Sequence, residues 1–259
     1  MQMNTPPTLP GRDAALFLDF DGTLVAIAET PEAVRVPEGM VPLLIELHDL
    51  LEGAVAVVSG RPIDVLDRFL APLRLPTAGE HGAQRRDAEG GLHEQPPADL
   101  RRVLDEANAL AARHTGLLVE RKHAAVALHY RLAPQLESLC LDAMGAAVGT
   151  DPALELLHGK CVVEIKPAGV NKGIAIDAFL KEAPFAGRRP YFAGDDTTDE
   201  SGFAVVQARG GLGYKVGEGS TRAQVRLASP RDVMAWLQAI RNALVPAQPD
   251  AARAVPAAS

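Results

Sequence analysis

Two aspartates, Asp19 and Asp21, stand in the segment Asp19-Phe20-Asp21-Gly22-Thr23, directly after the apolar run Ala14-Ala15-Leu16-Phe17-Leu18. Carboxylates two apart, just past a strand, can turn their oxygens onto one hard cation. A second acidic cluster, Gly194-Asp195-Asp196-Thr197-Thr198-Asp199, follows Tyr191-Phe192-Ala193. Three acids this close repel one another unless they share a cation. The plain alternatives are an exposed turn in the first case, with Gly22 supplying an unusual dihedral, and in the second a helix start capped by Thr198 or Asp199. A calcium loop is excluded, because Leu24 stands at its obligatory glycine and Thr30 at its bidentate glutamate. Ser59-Gly60-Arg61-Pro62 puts a hydroxyl and free backbone N–H groups at a helix start, which suits a phosphate. Read alone it is simply a good helix N-terminus. Lys172, in Asn171-Lys172-Gly173, offers a cation at another strand-to-helix junction, in a chain with six lysines against twenty arginines.

Elements must bring these groups together. The first apolar run, stopped by acid and glycine, suits a strand buried on both faces of a parallel sheet. A second run spans residues 54–58, and between the two Met40, Leu43, Leu44, Leu47 and Leu51 recur at helical spacing. Later come a strand over 191–193, a helix over 198–208 and a strand over 211–216. The last helix has Ser229 as its cap, Pro230 in its first turn and a face of Val233, Trp236, Leu237, Ile240 and Leu244. Strands alternating with helices predict a doubly wound, Rossmann-like parallel sheet, with ligands at the carboxyl ends of its strands. The middle of the chain reads differently. A charged turn (Arg85-Arg86-Asp87) leads to a helix with face Leu100, Val103, Leu104, Ala107 and Ala111. A hairpin of 117–121 and 124–130, a helix through Leu136, Leu139, Cys140 and Ala143, and strands over 154–157 and 161–165 follow. The expectation is an α/β core of 14–83 and 168–245, with an inserted α+β cap of 84–167. Residues 1–13 and 246–259, rich in proline and alanine, are expected to be flexible tails.

Composition narrows the class. Of 259 residues 47% are apolar and 23% charged, so the chain can bury a core and is not disordered. A net charge of −7 argues against a nucleic-acid or anionic-membrane surface. There is no run of 18 apolar residues to cross a bilayer, and the polar, proline-rich residues 1–13 lack the apolar segment expected of a signal peptide. Two cysteines, Cys140 and Cys161, cannot make a disulfide framework and read as reduced thiols. A cytoplasmic protein is expected.

In chain order, Asp-x-Asp-Gly-Thr, Ser-Gly, Lys-Gly and Gly-Asp-Asp-x-x-Asp resemble the four motifs of haloacid-dehalogenase-like phosphotransferases. Longer segments, residues 18–24, 79–86, 127–131, 159–167 and 194–203, resemble the trehalose-6-phosphate phosphatase family, and the likeness spans nearly the whole chain between its two ends. Phe20, where that family often has Leu, and His123, where a Gly is expected after Lys122, depart from the pattern. The resemblance implies a magnesium-dependent phosphatase acting on trehalose 6-phosphate, without nucleic-acid or membrane partners and as a monomer. By the same resemblance Asp19 is the nucleophile and Asp21 the acid and base. Mg2+ is held by the Asp19 carboxylate, the Asp21 carbonyl and Asp195, with Asp199 behind them and Asp196 a weaker candidate. Ser59, Gly60 and Lys172 hold the phosphoryl oxygens. Lys122, Arg131 and Glu164 bind sugar hydroxyls, with His81 and Gly82 at the junction of core and cap. Strand alternation puts His129 and Arg131 on one face and Glu164 with Lys166 on another. A capped phosphatase for another sugar phosphate is the nearest alternative. A phospho-acceptor signalling module would lack both the second acid and the insertion.

Overall fold

The structure, a computed structural model, describes residues 9–96 and 98–245. The chain begins with β1 (Ala14–Leu18), α1 (Met40–Leu50), β2 (Val55–Val58), α2 (Ile63–Leu70) and β3 (Thr77–Gly79), followed by a hairpin of β4 (Gln84–Arg86) and β5 (Leu92–Glu94). Next come α3 (Arg101–Arg113), β6 (Leu118–Arg121), β7 (Val126–His129), α4 (Glu137–Val148), β8 (Leu154–Gly159) and β9 (Val162–Pro167). It closes with α5 (Lys172–Phe179), β10 (Arg189–Gly194), α6 (Glu200–Ala208), β11 (Leu212–Val216), β12 (Val225–Leu227) and α7 (Pro230–Leu244).

An eight-stranded sheet runs in the order β12-β11-β10-β1-β2-β3-β4-β5, parallel from β12 to β3 and antiparallel at β4 and β5. Every residue of β1 and β2 is buried, because helices cover both faces. Alternation divides the side chains between the two layers. Phe17 packs on Phe185 with centroids 5.3 Å apart, and Phe192 on Phe203 of α6 at 5.3 Å. On the opposite face Tyr214 meets Trp236 of α7 at 4.4 Å. Ser229 caps α7 by accepting from Asp232 N, as its sequence predicts. The second sheet is antiparallel, β6-β7-β9-β8, and Val126, Leu128, Val163 and Ile165 pack on Val103, Ala107, Cys140 and Met144 of α3 and α4. None of the helices among the described residues is long and apolar enough to cross a membrane.

Several expectations change. Strands β4 and β5 belong to the large sheet, so an insertion boundary at residue 84 would cut through it. Arg85 and Arg86 are strand residues rather than a turn: Arg86 forms a bidentate pair with Asp67 (both 2.7 Å) and Arg85 one with Glu182 (both 2.8 Å). Their charge hid a strand whose two arginines point to opposite faces, each onto a carboxylate distant in sequence. Of the expected tails, residues 1–8 and 246–259 lie outside the described residues. Residues 9–13 are tied down, with Arg12 donating to the Leu244 carbonyl at 2.7 Å and Arg189 N to the Asp13 carbonyl at 2.9 Å.

Candidate active site

The sheet changes direction between β1 and β10. From β1 the chain proceeds to β2 and β3 on one side, and it returns through β10 on the other. At such a switch point adjacent strand ends splay their connections apart and leave a crevice. Register sets Leu18 beside Ala193, so Asp19 comes level with Gly194 and Asp195 follows one residue on. The turn after β1 is as close-packed as its glycine suggests. Gly22 has φ +76°, and a Cβ there would lie 2.2 Å from Asp195 Oδ2. Gly22→Ala is therefore expected to destabilise the fold by about 1–2 kcal/mol through the left-handed backbone alone. It should also push Asp195 aside. Thermal melting reads the first effect, and an unchanged Tm would contradict it.

Asp19, Asp195 and Asp199 are buried, and one oxygen from each lies within 4.8 Å of the others. Lys172 Nζ donates to Asp19 Oδ1 at 2.8 Å and Asp199 Oδ1 at 2.7 Å. Burial, then the charges of Asp199 and Asp195, pushes the Asp19 carboxyl well above the carboxylate range, against the pull of Lys172. Asp195 is raised too, by burial and by Asp199, against Lys160. Lys172 itself is held protonated: burial would lower it, but the two aspartates raise it. Three buried carboxyls converge here, with Lys172 bridging two of them and Lys160 on the third. Their all-oxygen donor set suits a hard divalent cation. Lys160 Nζ already lies 2.5 Å from Asp195 Oδ2 and 3.0 Å from its carbonyl.

Asp21 points elsewhere. Arg61 grips its carboxylate with two bonds, 2.6 and 2.8 Å, while donating to the Pro31 carbonyl at 2.9 Å. Ser59 Oγ is buried at the end of β2 and accepts from Arg61 N at 3.2 Å. Asp199 stands at the N-terminus of α6 without a side-chain cap bond, and a single 3-10 turn, Thr197–Asp199, precedes that helix. Asp196 is the cap of that turn, accepting from Thr197 N, and Asp199 Oδ2 accepts from Asp196 N in return. Asp196 is the better cap because its backbone is extended, as that position requires.

The second sheet roofs the crevice. β7 and β9 pair Ala127 with Glu164, so His129 and Glu164 share the face turned to the crevice, not separate faces as expected. Lys166 lies on that face too, but it is buried away from the crevice against the Val170 carbonyl and Glu155. Lys122 Nζ meets Glu164 Oε2 at 2.5 Å and donates to the Gly60 carbonyl at 2.9 Å, while His81 Nε2 lies 3.5 Å from Glu164 Oε1. Burial alone would raise Glu164, but Lys122 and His81 overcome it and hold the carboxyl far below its usual range. Burial keeps His81 below the usual histidine range.

Of the residues singled out from sequence, Asp19, Asp21, Ser59, Gly60, His81, Lys122, Arg131, Glu164, Lys172 and Asp195 line one cavity, with Asp196 beside them. Asp199 lies behind it, fully buried. Gly82 does not line it: a Cβ there would press on Ala175 at 3.0 Å, so this glycine serves packing against α5. The same cavity holds groups the sequence reading gave no role: Arg61, Glu120 and Lys160. Glu120 pairs with His129 at 2.8 Å. Below them Lys215 donates to the Asp195 carbonyl at 2.6 Å. Lysine scarcity was the available signal, because five of the six lysines serve this region or its supports.

A doubly wound sheet with paired acids at its switch point, an adjoining lysine and hydroxyl, and a roofing sheet is the haloacid-dehalogenase-like fold. The fold is shared with a haloacid dehalogenase-like hydrolase from B. subtilis (TM-score 0.63, 14% identity, 89% of this chain and 100% of that one). The chain belongs to the trehalose-phosphatase family, whose profile it matches over residues 17–231. It is 46% identical over 232 residues to the trehalose-6-phosphate phosphatase of Escherichia coli K12, covering 89% of this chain and 87% of that one. A crystal structure of a trehalose-6-phosphate phosphatase related protein superposes with TM-score 0.72 at 30% identity, over 88% of this chain and 97% of that one.

Proposed function

We propose that this chain hydrolyses trehalose 6-phosphate to trehalose and phosphate through an aspartyl-phosphate on Asp19. The observation that carries the reading is the meeting, in one cavity, of the Asp19–Lys172 pair with the Lys122–Glu164 pair of the roofing sheet. In the first step an Asp19 oxygen bonds to phosphorus and the bond from phosphorus to the sugar oxygen breaks. Asp21, released from Arg61 and protonated from solvent, gives that oxygen its proton. In the second step Asp21 takes a proton from water, whose oxygen displaces Asp19 from phosphorus. Acid–base assistance of this kind is worth about 10²–10⁴ in rate. Lys172, Ser59 and the Gly60 amide hold the phosphoryl oxygens. Mg2+ would be held by Asp19, Asp195 and the Asp21 carbonyl, with Asp199 behind them. When bound it neutralises phosphoryl charge and lets an anionic nucleophile approach an anionic substrate.

Residues from about 98 to 167 act in this reading as the selecting cap. Glu164 accepts sugar hydroxyl hydrogens, and Lys122 and Arg131 donate to sugar oxygens. Phosphate release across a panel of sugar phosphates, with and without magnesium, tests the assignment. Best turnover on a different sugar phosphate would overturn it.

Glu164→Gln probes the cap's share. Alanine would leave Lys122 buried without its partner, at a cost of about 3–5 kcal/mol, so the isosteric amide is the cleaner change. Losing a charged acceptor to a hydroxyl should cost about 1.5–3 kcal/mol, roughly ten- to hundredfold in kcat/KM on trehalose 6-phosphate. A small aryl phosphate does not reach Glu164 and should be hydrolysed nearly as before. Equal losses on both substrates would assign Glu164 to the fold or the chemistry instead.

A further inference from the structure

Glu80 lies in the loop after β3, 1% exposed and outside the cavity lining. Its carboxylate reaches across to the second sheet and accepts two backbone hydrogens there. Oε1 accepts from His123 N at 2.8 Å and Oε2 from Ala124 N at 2.6 Å. Both amides belong to the turn joining β6 to β7, which is closed by Lys122 N donating to the Ala125 carbonyl at 2.9 Å. Lys122 opens that turn, so the carboxylate grips the peptide groups next to it.

The loop that presents Glu80 is held in an uncommon shape. Glu80 has φ +48° and His81 φ +58°, a left-handed conformation that a β-carbon disfavours. Consecutive non-glycine residues persist there only where the surroundings over-determine them. Here Glu80 N donates to the Arg61 carbonyl at 3.0 Å and His81 N to the Ser59 carbonyl at 2.9 Å. The loop is thereby fixed to the end of β2, beside the phosphoryl-binding hydroxyl. Ala83, Ala124 and Val170 form a small buried cluster spanning both sheets and the returning chain. Burial raises the Glu80 carboxyl even against its two amide donors, so an anion there depends on the turn staying docked.

We propose that Glu80 is a positioning residue: it latches the β6–β7 turn onto the core and so sets Lys122 between Gly60 and Glu164. The proposal rests on the reading that Lys122 and Glu164 recognise the sugar. Two-pronged acceptance of adjacent amides fixes the turn in position and in rotation, which a single bond or an apolar contact does not. It also accounts for His123 without a glycine, since that position has no left-handed backbone and its N–H has a fixed acceptor.

The test has two readouts. Backbone hydrogen exchange in the full-length, magnesium-loaded protein without substrate should find the His123 and Ala124 amides protected. Glu80→Gln offers one of those amides an NH2 group in place of an acceptor, and exchange at both should rise at least about tenfold. In the same variant KM for trehalose 6-phosphate should rise about tenfold while kcat changes little, the pattern of lost binding outside the reacting centre. Hydrolysis of p-nitrophenyl phosphate should stay within about twofold, since that substrate draws on the core groups alone. Equal losses on both substrates, an unchanged KM, or wild-type amides exchanging as fast as an unstructured peptide would each overturn the latch. Should Glu80→Gln not fold, Glu80→Asp, whose carboxylate is one methylene short, is read in the same way. If wild type fails on trehalose 6-phosphate the functional reading falls, while the exchange data still judge the latch.

Discussion

Asp19→Asn should abolish phosphate release. An amide nitrogen, its lone pair delocalised, does not form the acyl-phosphate bond, and the carboxylate's place against Lys172 is then filled by a group of the same shape. The substitution should not unfold the protein. Burial first, then the neighbouring Asp199 and Asp195, penalises a charge on Asp19, so removing that charge relieves the penalty even as it weakens the bond from Lys172. The expected pattern is a Tm at or above that of wild type with turnover at background. Brief incubation with substrate labelled in the phosphoryl group should mark wild-type protein and leave the variant unmarked. Label on Asp19→Asn would transfer the nucleophile's role to another residue. Asp21→Asn should retain the label-accepting carboxylate and slow turnover by at least about 10²-fold.

Removing divalent metal should have an effect of the same order. Asp19, Asp195 and Asp199 bring three buried carboxyls together, with Lys172 between Asp19 and Asp199 and Lys160 on Asp195. Excess chelator should take activity to background, and magnesium should restore it. Calcium should restore little, because it prefers more oxygen ligands at longer range. Magnesium at about a hundred times its Kd should also stabilise the fold by about 2.7 kcal/mol, read as a rise in Tm without substrate. Full activity in chelator, with no magnesium-dependent change in Tm, would exclude a metal at this trio.

The core and its acids were legible because their signals are local. A buried run ending in Asp-x-Asp-Gly announces both strand β1 and the groups at its end, and the Ser229–Pro230 start of α7 is set by its own cap. What escaped depends on contacts between distant segments. Charged Arg85 and Arg86 resemble a turn until Glu182 and Asp67 are placed opposite them. Whether His129 and Glu164 share a face is a matter of register between β7 and β9, which alternation within either strand leaves open. Arg61 was read as part of a helix start, since nothing nearby in sequence reveals its bidentate hold on Asp21, 40 residues earlier. Glu80, likewise, means nothing without the turn 43 residues later.

The disposition of lysine has a practical side. Lys122, Lys166, Lys172 and Lys215 have their ammonium groups committed to the interior, and the exterior positive charge is carried almost wholly by arginine. Among the lysines, amine-directed reagents are therefore left with Lys181, 65% exposed, and Lys160, 48% exposed at the mouth of the cavity. Acylation should mark these two first, and an occupied cavity should shield Lys160 while leaving Lys181 reactive. The ratio of the two adducts becomes a built-in gauge of occupancy, and coupling the enzyme to a support through its amines should be done with the cavity filled.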